Sequence, residues 1–350
     1  MDENDTAAEG GNMGRDIGVD LGTSTLLVYM RGKGIVLSEP SVVAIDTKTN
    51  KPVKIGREAY AMIGRTPADL VTVRPMRDGV ISQYDVTLKM LQYCIRRACG
   101  PRMTKSNVMV CVPSGITEVE ERAVVDAAIQ AGSKRTYLIE EPMAAAIGAG
   151  LPVGSATGHM IVDIGGGTTD IAVLSLHSLV VSASVKMGGD KMNDAITRYI
   201  RRVYNLLIGE RTAEEVKLTI GTTDREDSRE MEVKGRCLIE GLPKAVTVRA
   251  GEIAEAMEEP IGAIVDAVRG VIEKIPPGLV ADVMSEGIVM TGGGSLLNGW
   301  IPLLERVTGI PVRVAENPSA CVVLGTGKAV AAPDAFRLSA IGVSGRQRRI

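Results

Sequence analysis

The stretch Met160–Ser175, MIVDIGGGTTDIAVLS, carries the strongest structural signal in the sequence. An apolar run ends at Asp163, three glycines and two threonines follow, and a second apolar run completes the stretch. This order predicts a β-hairpin whose tight turn leaves backbone N–H groups unpaired, because glycine tolerates positive φ and close approach. Such a concavity binds phosphate, and a carboxylate at the strand end can hold Mg²⁺ through water. Alone, the turn also fits a plain structural role.

Two further stretches have a similar layout. Ile17–Tyr29, IGVDLGTSTLLVY, runs from an apolar strand through Asp20 and a Thr/Ser-rich turn into a second apolar strand. Internal repeats can decide a whole fold, and this one predicts two related domains that close on one nucleotide. Ile288–Ser295, IVMTGGGS, leads from a strand into a glycine triplet, with a helix expected to follow. A glycine turn at a helix N-terminus suits the base and ribose side of a nucleotide as well as phosphate.

The composition is that of a globular chain long enough for two domains, with 350 residues, 45% hydrophobic and 23% charged. A net charge of −2 and only one Trp and one Phe argue against nucleic acid as a partner. The five cysteines form no CxxC pair and are expected to be free thiols in a reducing cytosol. His159 and His177 lack metal-ligand spacing, which sets aside zinc and Ser-His-Asp chemistry. No apolar run approaches the length of a membrane-spanning helix.

Local patterns predict alternating strands and helices after an acidic, Gly/Asn-rich tail over residues 1–15 that is expected to be disordered. Proline near the start of a helix is well tolerated, so Glu140-Glu141-Pro142 is expected to open an alanine-rich helix. The other predictions for single elements are a helix capped by Asp85 and ending at Gly100, a capping box of Thr117 and Glu120, a helix over Met192–Leu207, a helix over Glu252–Lys274 kinked at Pro260, and a helix over Leu296–Thr308.

With the two Asp hairpins and the glycine triplet in place, the chain resembles the superfamily of actin, heat-shock chaperones and sugar kinases. Within it, the chain is similar to the bacterial actin MreB/Mbl family of rod shape-determining proteins, from about Asp16 to Lys328. The most specific motifs are GIVLSEPSVVAID (34–46), RPMRDGVI (74–81), VCVPSGITEVEERAV (110–124), IEEPMAAAIGAGLPV (139–153), VDIGGGTTD (162–170), IGERTAEEVK (208–217) and MTGGGSLL (290–297).

The resemblance implies an α/β, actin-like ATPase fold, in which two RNase H-like domains, each with a smaller subdomain, surround a central nucleotide cleft. It implies ATP and Mg²⁺ as cofactors, self-assembly into filaments, and a cytoplasmic place on the inner face of the membrane, with the cell wall synthesis and elongation machinery as partners. The expected parts are a tail over 1–15, subdomain IA over 16–42, 76–155 and 325–340, subdomain IB over 43–75, subdomain IIA over 156–191 and 251–324, subdomain IIB over 192–250, and a basic tail over 341–350.

Carried over one position at a time, the resemblance also assigns roles to site residues. Asp20 and Asp163 would lie beside the metal. Glu141 would activate the attacking water, which Thr168 would help to place, although Glu141 also fits a helix-start charge favoured by the dipole. The residues that would contact the nucleotide are Thr23, Ser24 and Thr25 in the first phosphate loop, Gly165, Gly166, Gly167 and Thr168 in the second, Glu214 and Lys217 beside the adenosine, and Gly292, Gly293, Gly294 and Ser295 in the nucleotide floor.

The helix that carries Glu214 and Lys217 is expected to be capped by Thr212, and on their own these two residues form an ordinary i,i+3 ion pair. The implied activity is a weak, Mg-dependent ATPase coupled to polymerisation. In this hypothesis Glu141 and Thr168 orient water in line with the γ-phosphate. Loss of the γ-phosphate then relaxes the cleft and weakens the filament contact.

Several positions depart from the family pattern. The first turn reads GTSTL where GTANT is usual, Asp170 stands where glutamate is common, and Lys191 reverses a charge beside the cleft. These departures bear on hydrolysis rate and nucleotide preference more than on binding. The loop over 100–107, GPRMTKSN, offers only Met103 as an apolar membrane insert, with two basic side chains beside it that could meet anionic lipid.

Three other hypotheses remain open. A small-molecule kinase of the same superfamily would carry insertions for its second substrate, for which the sequence has little room. A heat-shock chaperone would need a peptide-binding domain after the ATPase part. The altered first phosphate turn and Lys191 keep open a non-polymerising adaptor that holds ATP only to maintain its shape.

Overall fold

The computed structural model describes residues 16–100, 106–114, 116–333 and 340–342, the last three as backbone only. The predicted acidic tail, the side chains expected to face lipid around Met103, and the basic end after residue 342 lie outside these ranges, so they stay predictions. No helix in the described ranges is long and apolar enough to cross a membrane.

Strands and helices alternate along the described chain. The strands are β1 Ile17–Leu21, β2 Thr25–Met30, β3 Gly34–Pro40, β4 Val43–Asp46, β5 Pro52–Ile55, β6 Leu70–Val73, β7 Met76–Arg77, β8 Val80–Ile81, β9 Asn107–Val112, β10 Arg135–Glu140, β11 His159–Ile164, β12 Thr169–Ser175, β13 Ser178–Val185, β14 Leu206–Leu207, β15 Glu230–Cys237, β16 Pro243–Arg249, β17 Ile288–Thr291, β18 Val312–Val314 and β19 Ala340–Gly342. The α-helices are α1 Arg57–Tyr60, α2 Tyr84–Cys99, α3 Glu118–Gln130, α4 Glu141–Gly148, α5 Gly189–Tyr204, α6 Glu210–Ile220, α7 Ala250–Ala256, α8 Glu258–Ile272, α9 Pro277–Glu286, α10 Trp300–Thr308 and α11 Cys321–Ala331. Short 3-10 helices lie at Gly293–Leu296 and Pro318–Ala320.

Two large sheets share one strand plan. The first has the order β19-β10-β9-β1-β2-β3, and the second has the order β13-β12-β11-β17-β18. In each sheet, three antiparallel strands joined in sequence are extended by a strand parallel to the first of them, β9 beside β1 and β17 beside β11. The hairpins β1–β2 and β11–β12 therefore occupy equivalent places, which confirms the internal repeat predicted from the sequence.

A smaller sheet accompanies each large one. The order β5-β4-β6 belongs with the first large sheet and the order β14-β15-β16 with the second. We call the first pair of sheets, with their helices, the first lobe, and the other pair, with theirs, the second lobe. Each lobe has a hydrophobic core of its own. All five cysteines are buried, and Cys94, Cys111, Cys237 and Cys321 form no disulfide, as the absence of paired spacing predicts.

Helices α4 and α11 join the two lobes. They contribute to a core that contains Met109 of the first large sheet and Ile161 of the second, both fully buried. The helices approach so closely that a Cβ on Gly325 would lie 1.8 Å from the backbone oxygen of Ala144. Only a residue without a Cβ fits at this crossing. We call this crossing of α4 and α11 the floor of the molecule, because it joins the two lobes through a shared core.

The predicted helix ends are displaced at several places. Asp85 lies in the first turn of α2 and is not its cap, since the helix begins after Gln83. The long helix expected to kink at Pro260 is instead divided at Met257 into α7 and α8. Pro260 lies in the first turn of α8, where backbone N–H groups have no helical acceptor, so proline removes no bond there.

Two further predictions need the same kind of correction. Helix α5 covers Gly189–Tyr204 and so begins and ends three residues earlier than predicted. The glycine triplet leads into a 3-10 turn, and α10 begins only at Trp300. By contrast, the capping box is confirmed, because the Thr117 side chain accepts from the Glu120 N–H and the Glu120 side chain accepts from the Thr117 N–H.

Candidate nucleotide-binding cleft

A cleft of about 510 Å³ opens between the two lobes, at the turns of both hairpins. Apart from Ser295, every site residue predicted from the sequence lines it. These residues are Asp20, Thr23, Ser24, Thr25, Glu141, Asp163, Gly165, Gly166, Gly167, Thr168, Glu214, Lys217, Gly292, Gly293 and Gly294. Ser295 is buried behind the wall, where its Oγ donates to the Gly292 oxygen at 2.7 Å and stabilises the glycine turn.

The turn between β1 and β2 is stabilised by a hydrogen bond within the first lobe and also contacts the second lobe. Ser41 Oγ donates to the Gly22 oxygen at 2.6 Å, which stabilises the base of the turn. Ser24 Oγ donates to Asp190 Oδ1 of the second lobe at 3.3 Å. The hydroxyls of Thr23 and Ser24 therefore lie between the lobes, where a phosphate bound in the cleft could accept hydrogen bonds from them.

The turn between β11 and β12 rests on the N-terminus of α5. The Gly189 N–H donates to the Gly165 oxygen at 3.0 Å, and the Asp190 N–H donates to the Gly166 oxygen at 2.8 Å. A Cβ on Gly166 would lie 2.0 Å from Ser24 Oγ of the opposite hairpin. The two hairpin turns thus meet face to face, which requires glycine in the second one.

The glycine triplet packs against the end of β11. Gly292 has a φ of +78°, and a Cβ there would lie 2.3 Å from the Ile164 oxygen. A Cβ on Gly294 would lie 2.4 Å from Ile164 Cγ2. Trp300 Nε1 donates to the Gly294 oxygen at 3.0 Å and fixes the turn. Glycine lets this third element close one wall of the cleft.

Asp20 and Asp163 are the carboxylates of the two hairpins. Burial raises the pKa of Asp20 to about 6. A hydrogen bond that Cys111 Sγ donates to Asp20 Oδ1 at 3.3 Å lowers the pKa and so offsets part of this rise. Burial likewise raises the pKa of Asp163 to about 7, against a hydrogen bond from Thr291 Oγ1 at 2.8 Å. The negative charge of Asp20 also raises the pKa of Asp163, so a cation between the two carboxylates would be favoured.

This pair of donors fits Mg²⁺. The ion prefers oxygen ligands and usually keeps several waters, with one or two carboxylates and substrate phosphates completing its shell. Within the part of the chain that the structure describes, no group of three or more acidic, Cys or His side chains could form a closed metal cage. Asp20 and Asp163 are therefore suited to an ion that arrives with water and phosphate.

Glu141 begins α4 and lines the cleft beside Thr168. Burial, followed by the charges of Asp170, Asp20 and Asp163, raises the pKa of Glu141 well above its ordinary value. Asp170 pairs with Asp163 in the strand register, and burial raises its pKa too. A buried carboxyl group with a raised pKa in a cleft is typical of a general acid or base.

Helix α6 brings Glu214 and Lys217 to the cleft from the second lobe. The helix begins before Thr212, which lies in its first turn, so the predicted Thr212 cap is wrong. Lys217 Nζ donates to the Gly189 oxygen at 3.0 Å, and burial lowers the pKa of this lysine. Glu214 accepts a hydrogen bond from the Tyr60 hydroxyl of the first lobe. Each residue thus has a hydrogen-bond partner outside the pair, while the charge of Glu214 still raises the pKa of Lys217 against the larger effect of burial.

Several cleft residues are absent from the set of site residues predicted from the sequence, although some of them lie within the motifs quoted above. They are Leu21, Gly22, Leu27, Gly79, Gly189, Asp190, Met192, Leu218, Gly221, Arg229, Leu296, Leu297, Asn298, Pro318, Ser319 and Val322. The glycine pair before Asp190 is a further local cue, since such a pair at a helix start is typical of anion sites. Lys191, which reverses a charge relative to the family pattern, lies 3.9 Å from Asp78 of the first lobe, so its charge is compensated across the cleft.

Nearly the whole chain matches one family of proteins. The family model described as MreB/Mbl protein matches residues 14–337. The chain belongs to the MreB/Mbl family. The cell shape-determining protein MreB of Escherichia coli (strain K12) is 50% identical over 327 residues, which cover 91% of this chain and 94% of that protein. The cell shape-determining protein Mbl of Bacillus cereus is 49% identical over 315 residues, which cover 89% of this chain and 95% of that protein.

Two solved structures share the fold of this chain. MreB5 of Spiroplasma citri bound to ADP is 37% identical, with a TM-score of 0.86, and the match covers 89% of this chain and 95% of that one. The MamK double helical filament is 21% identical, with a TM-score of 0.76, and the match covers 90% of this chain and 98% of that one. The predicted actin-like α/β fold, with two large and two smaller parts around a central cleft, is confirmed.

Proposed function

We propose that this chain is an ATP-binding cytoskeletal protein that forms actin-like filaments and hydrolyses ATP slowly. Two equivalent hairpins meet across one cleft, with Asp20 and Asp163 near the ends of their first strands. This arrangement is the observation that carries the proposal. A glycine-rich turn that faces a turn rich in Thr and Ser suits a chain of phosphates with its metal ion. MreB5 of Spiroplasma citri has been crystallised with ADP and with AMPPNP, which supports a nucleotide as the occupant.

The cleft lining combines polar and apolar side chains that would orient the nucleotide. The hydroxyls of Thr23 and Ser24 lie opposite the glycines of the second hairpin and would bind the β- and γ-phosphates. Leu218 and Leu297, which also line the cleft, would offer apolar contact for the adenine. Glu214 lies on α6 together with Lys217, and an acidic side chain between phosphates and base is suited to ribose hydroxyls.

Hydrolysis would depend on positioning. Mg²⁺, held by Asp20 and Asp163 mostly through water, would neutralise phosphate charge and favour the ionised forms of the carboxyl groups around it. Glu141 would accept a proton from the attacking water, and the Thr168 hydroxyl would orient that water toward the γ-phosphate. Alignment of this kind supplies much of the catalysis of phosphoryl transfer. We expect slow turnover, because its role is to time assembly.

Filament formation, a place on the inner face of the membrane and a role in cell wall synthesis complete the proposal. Relatives in Escherichia coli and Bacillus cereus are named cell shape-determining proteins, and MamK, which shares the fold, has been solved as a double helical filament. Loss of the γ-phosphate would remove ties between the lobes and weaken subunit contacts. The predicted division into subdomains IA, IB, IIA and IIB belongs to the same proposal, since each lobe has one large and one small sheet.

A non-polymerising adaptor of the same fold is the second candidate. The observation that favours it is the set of side-chain contacts across the cleft, such as Ser24 with Asp190 and Lys191 with Asp78. These contacts connect the two lobes through protein side chains. In such a protein the bound nucleotide would only maintain the shape of the protein, and its hydrolysis would not control assembly.

Sedimentation of the purified protein with Mg-ATP, with Mg-ADP and without nucleotide distinguishes the two candidates. We expect pelleting that requires Mg-ATP, with filaments visible by negative-stain electron microscopy, and further recruitment by anionic liposomes. Glu141→Gln should pellet as well as the wild type but release phosphate at least about tenfold more slowly. A protein that binds ATP yet stays monomeric in every condition would rule out the filament and leave the adaptor.

A further inference from the structure

The mouth of the cleft is bridged by side chains from small elements of both lobes. The Tyr60 hydroxyl, at the end of α1, donates to Glu214 Oε2 on α6. Arg74, just after β6, pairs with Glu210 in the first turn of α6. Both contacts join the first lobe to the same helix of the second lobe, the helix that carries the cleft residues Glu214 and Lys217.

The Tyr60 side chain makes a second contact with α6, through its ring. Arg211, also in α6, places its guanidinium carbon 5.6 Å from the centre of the Tyr60 ring, within range of a cation–π interaction. Burial, and then the hydrogen bond to Glu214, raises the pKa of Tyr60 to about 12, so the hydroxyl remains a donor at any physiological pH. The ring and its hydroxyl are therefore held separately, by two different residues of one helix.

Glu214 keeps one carboxylate oxygen available. Tyr60 uses Oε2, and within the described ranges no hydrogen bond to Oε1 is found. The side chain lines the cleft together with the hairpin turns and the apolar Leu297, one helical turn before Lys217 on α6. A carboxylate in that place is suited to accept from a ribose hydroxyl, and it does so best when its rotamer is already fixed.

We propose that Tyr60 is a positioning residue that reaches across the cleft and holds Glu214 for a ribose hydroxyl of the bound nucleotide. The inference deepens the proposed function and rests on it. Tyr60 touches no part of the nucleotide and acts only through Glu214. One consequence is that nucleoside binding and closure of the cleft mouth become linked, since the same carboxylate takes part in both.

The test compares two nucleotides in one pair of proteins. Tyr60→Phe removes the hydroxyl and keeps the ring on Arg211, so the fold should be retained. We expect isothermal titration calorimetry with Mg-ATP to show a Kd about three- to tenfold weaker for the variant, which is the range for one hydrogen bond. With Mg-2′,3′-dideoxy-ATP, which lacks the ribose hydroxyls, the two proteins should bind equally, each more weakly than the wild type binds ATP.

Tyr204→Phe is the matched control, because Tyr204 also donates to a glutamate, Glu252, but within the second lobe and away from the cleft. It should leave both affinities unchanged. In a Glu214→Ala background, Tyr60→Phe should have no further effect on ATP affinity. Equal weakening of ATP and dideoxy-ATP by Tyr60→Phe, or an undiminished effect without Glu214, would overturn the inference while leaving nucleotide binding intact. A wild-type protein that binds neither nucleotide would instead overturn the proposed function, and the inference with it.

Discussion

Asp163 shows how a residue kept for function can weaken the ligand-free fold. Its pKa rises from an ordinary 3.8 to about 7 because the carboxyl group is buried. The folded chain therefore holds this proton more tightly than the unfolded chain does. The stability gained from the protonated group is fully present below pH 3.8 and is lost as the pH rises through about 7. At pH 8 the Asp163 carboxylate is charged but remains buried away from water, which lowers the stability of the fold.

We predict that Asp163→Asn stabilises the ligand-free protein at pH 8 by at least about 1 kcal/mol, because the amide carries no charge. The amide oxygen can still accept the hydrogen bond from Thr291. Thermal unfolding at pH 5 and at pH 8 measures the effect, which should be much smaller at pH 5. The same variant should bind Mg-ATP more weakly than the wild type.

The control for this prediction is Asp227→Asn. Hydrogen bonds from Arg229 lower the pKa of Asp227 to about 2, so its charge stabilises the fold and the sign is reversed. This substitution should lower the melting temperature at both pH values. If Asp163→Asn gave the same melting temperature as the wild type at pH 8, the burial argument for this carboxylate would be wrong.

At the scale of elements, local chemistry made the hairpins predictable and tertiary contacts displaced the helix ends. A strand, a carboxylate and a glycine turn lie within one short stretch, so the β11–β12 hairpin and its repeat could be recognised from sequence. The break at Met257 could not, because Pro260 is acceptable in a first helical turn and the preceding break depends on packing. The contact between Tyr60 and Glu214 joins residues 154 positions apart, so no local sequence pattern predicts it.

The crossing of α4 and α11 provides a prediction about an element. Gly325→Ala would push a methyl group to within 1.8 Å of the Ala144 oxygen, so the helices must separate. We expect a loss of about 1–3 kcal/mol in the free energy of unfolding, the usual range for overpacking, measured by chemical denaturation.

Gly262→Ala in α8 is the matched control, since nothing lies within 4 Å of a Cβ at that position. Alanine is the better helix former by about 1 kcal/mol, so this variant should be as stable as the wild type or more so. Gly325→Ala with a stability equal to that of Gly262→Ala would show that the two helices are not held as closely as described.

For the molecule as a whole, the two lobes are joined unequally at the floor and at the mouth of the cleft. The floor is a buried core around α4 and α11. The mouth is held by polar contacts such as Arg74 with Glu210 and Lys191 with Asp78, whose carboxylates are 45% and 38% exposed. Exposed pairs of this kind contribute about 1 kcal/mol or less each. Opening at the mouth should therefore be easy, and a ligand that binds both hairpins should close it.

We predict that the radius of gyration of the ligand-free protein exceeds that of the Mg-ADP complex by a few per cent of the roughly 20 Å expected for a chain of this length. Arg74→Ala should widen the ligand-free form further, because α6 then loses a partner in the first lobe, while Mg-ADP should restore the compact form. Small-angle X-ray scattering, at concentrations where nothing pellets, measures both. Arg198→Ala, which removes an exposed pair with Glu259 inside the second lobe, should change neither radius. If the ligand-free and Mg-ADP radii were equal in wild type and Arg74→Ala alike, the lobes would form one rigid body, and release of the γ-phosphate could not act on filaments by relaxing the cleft.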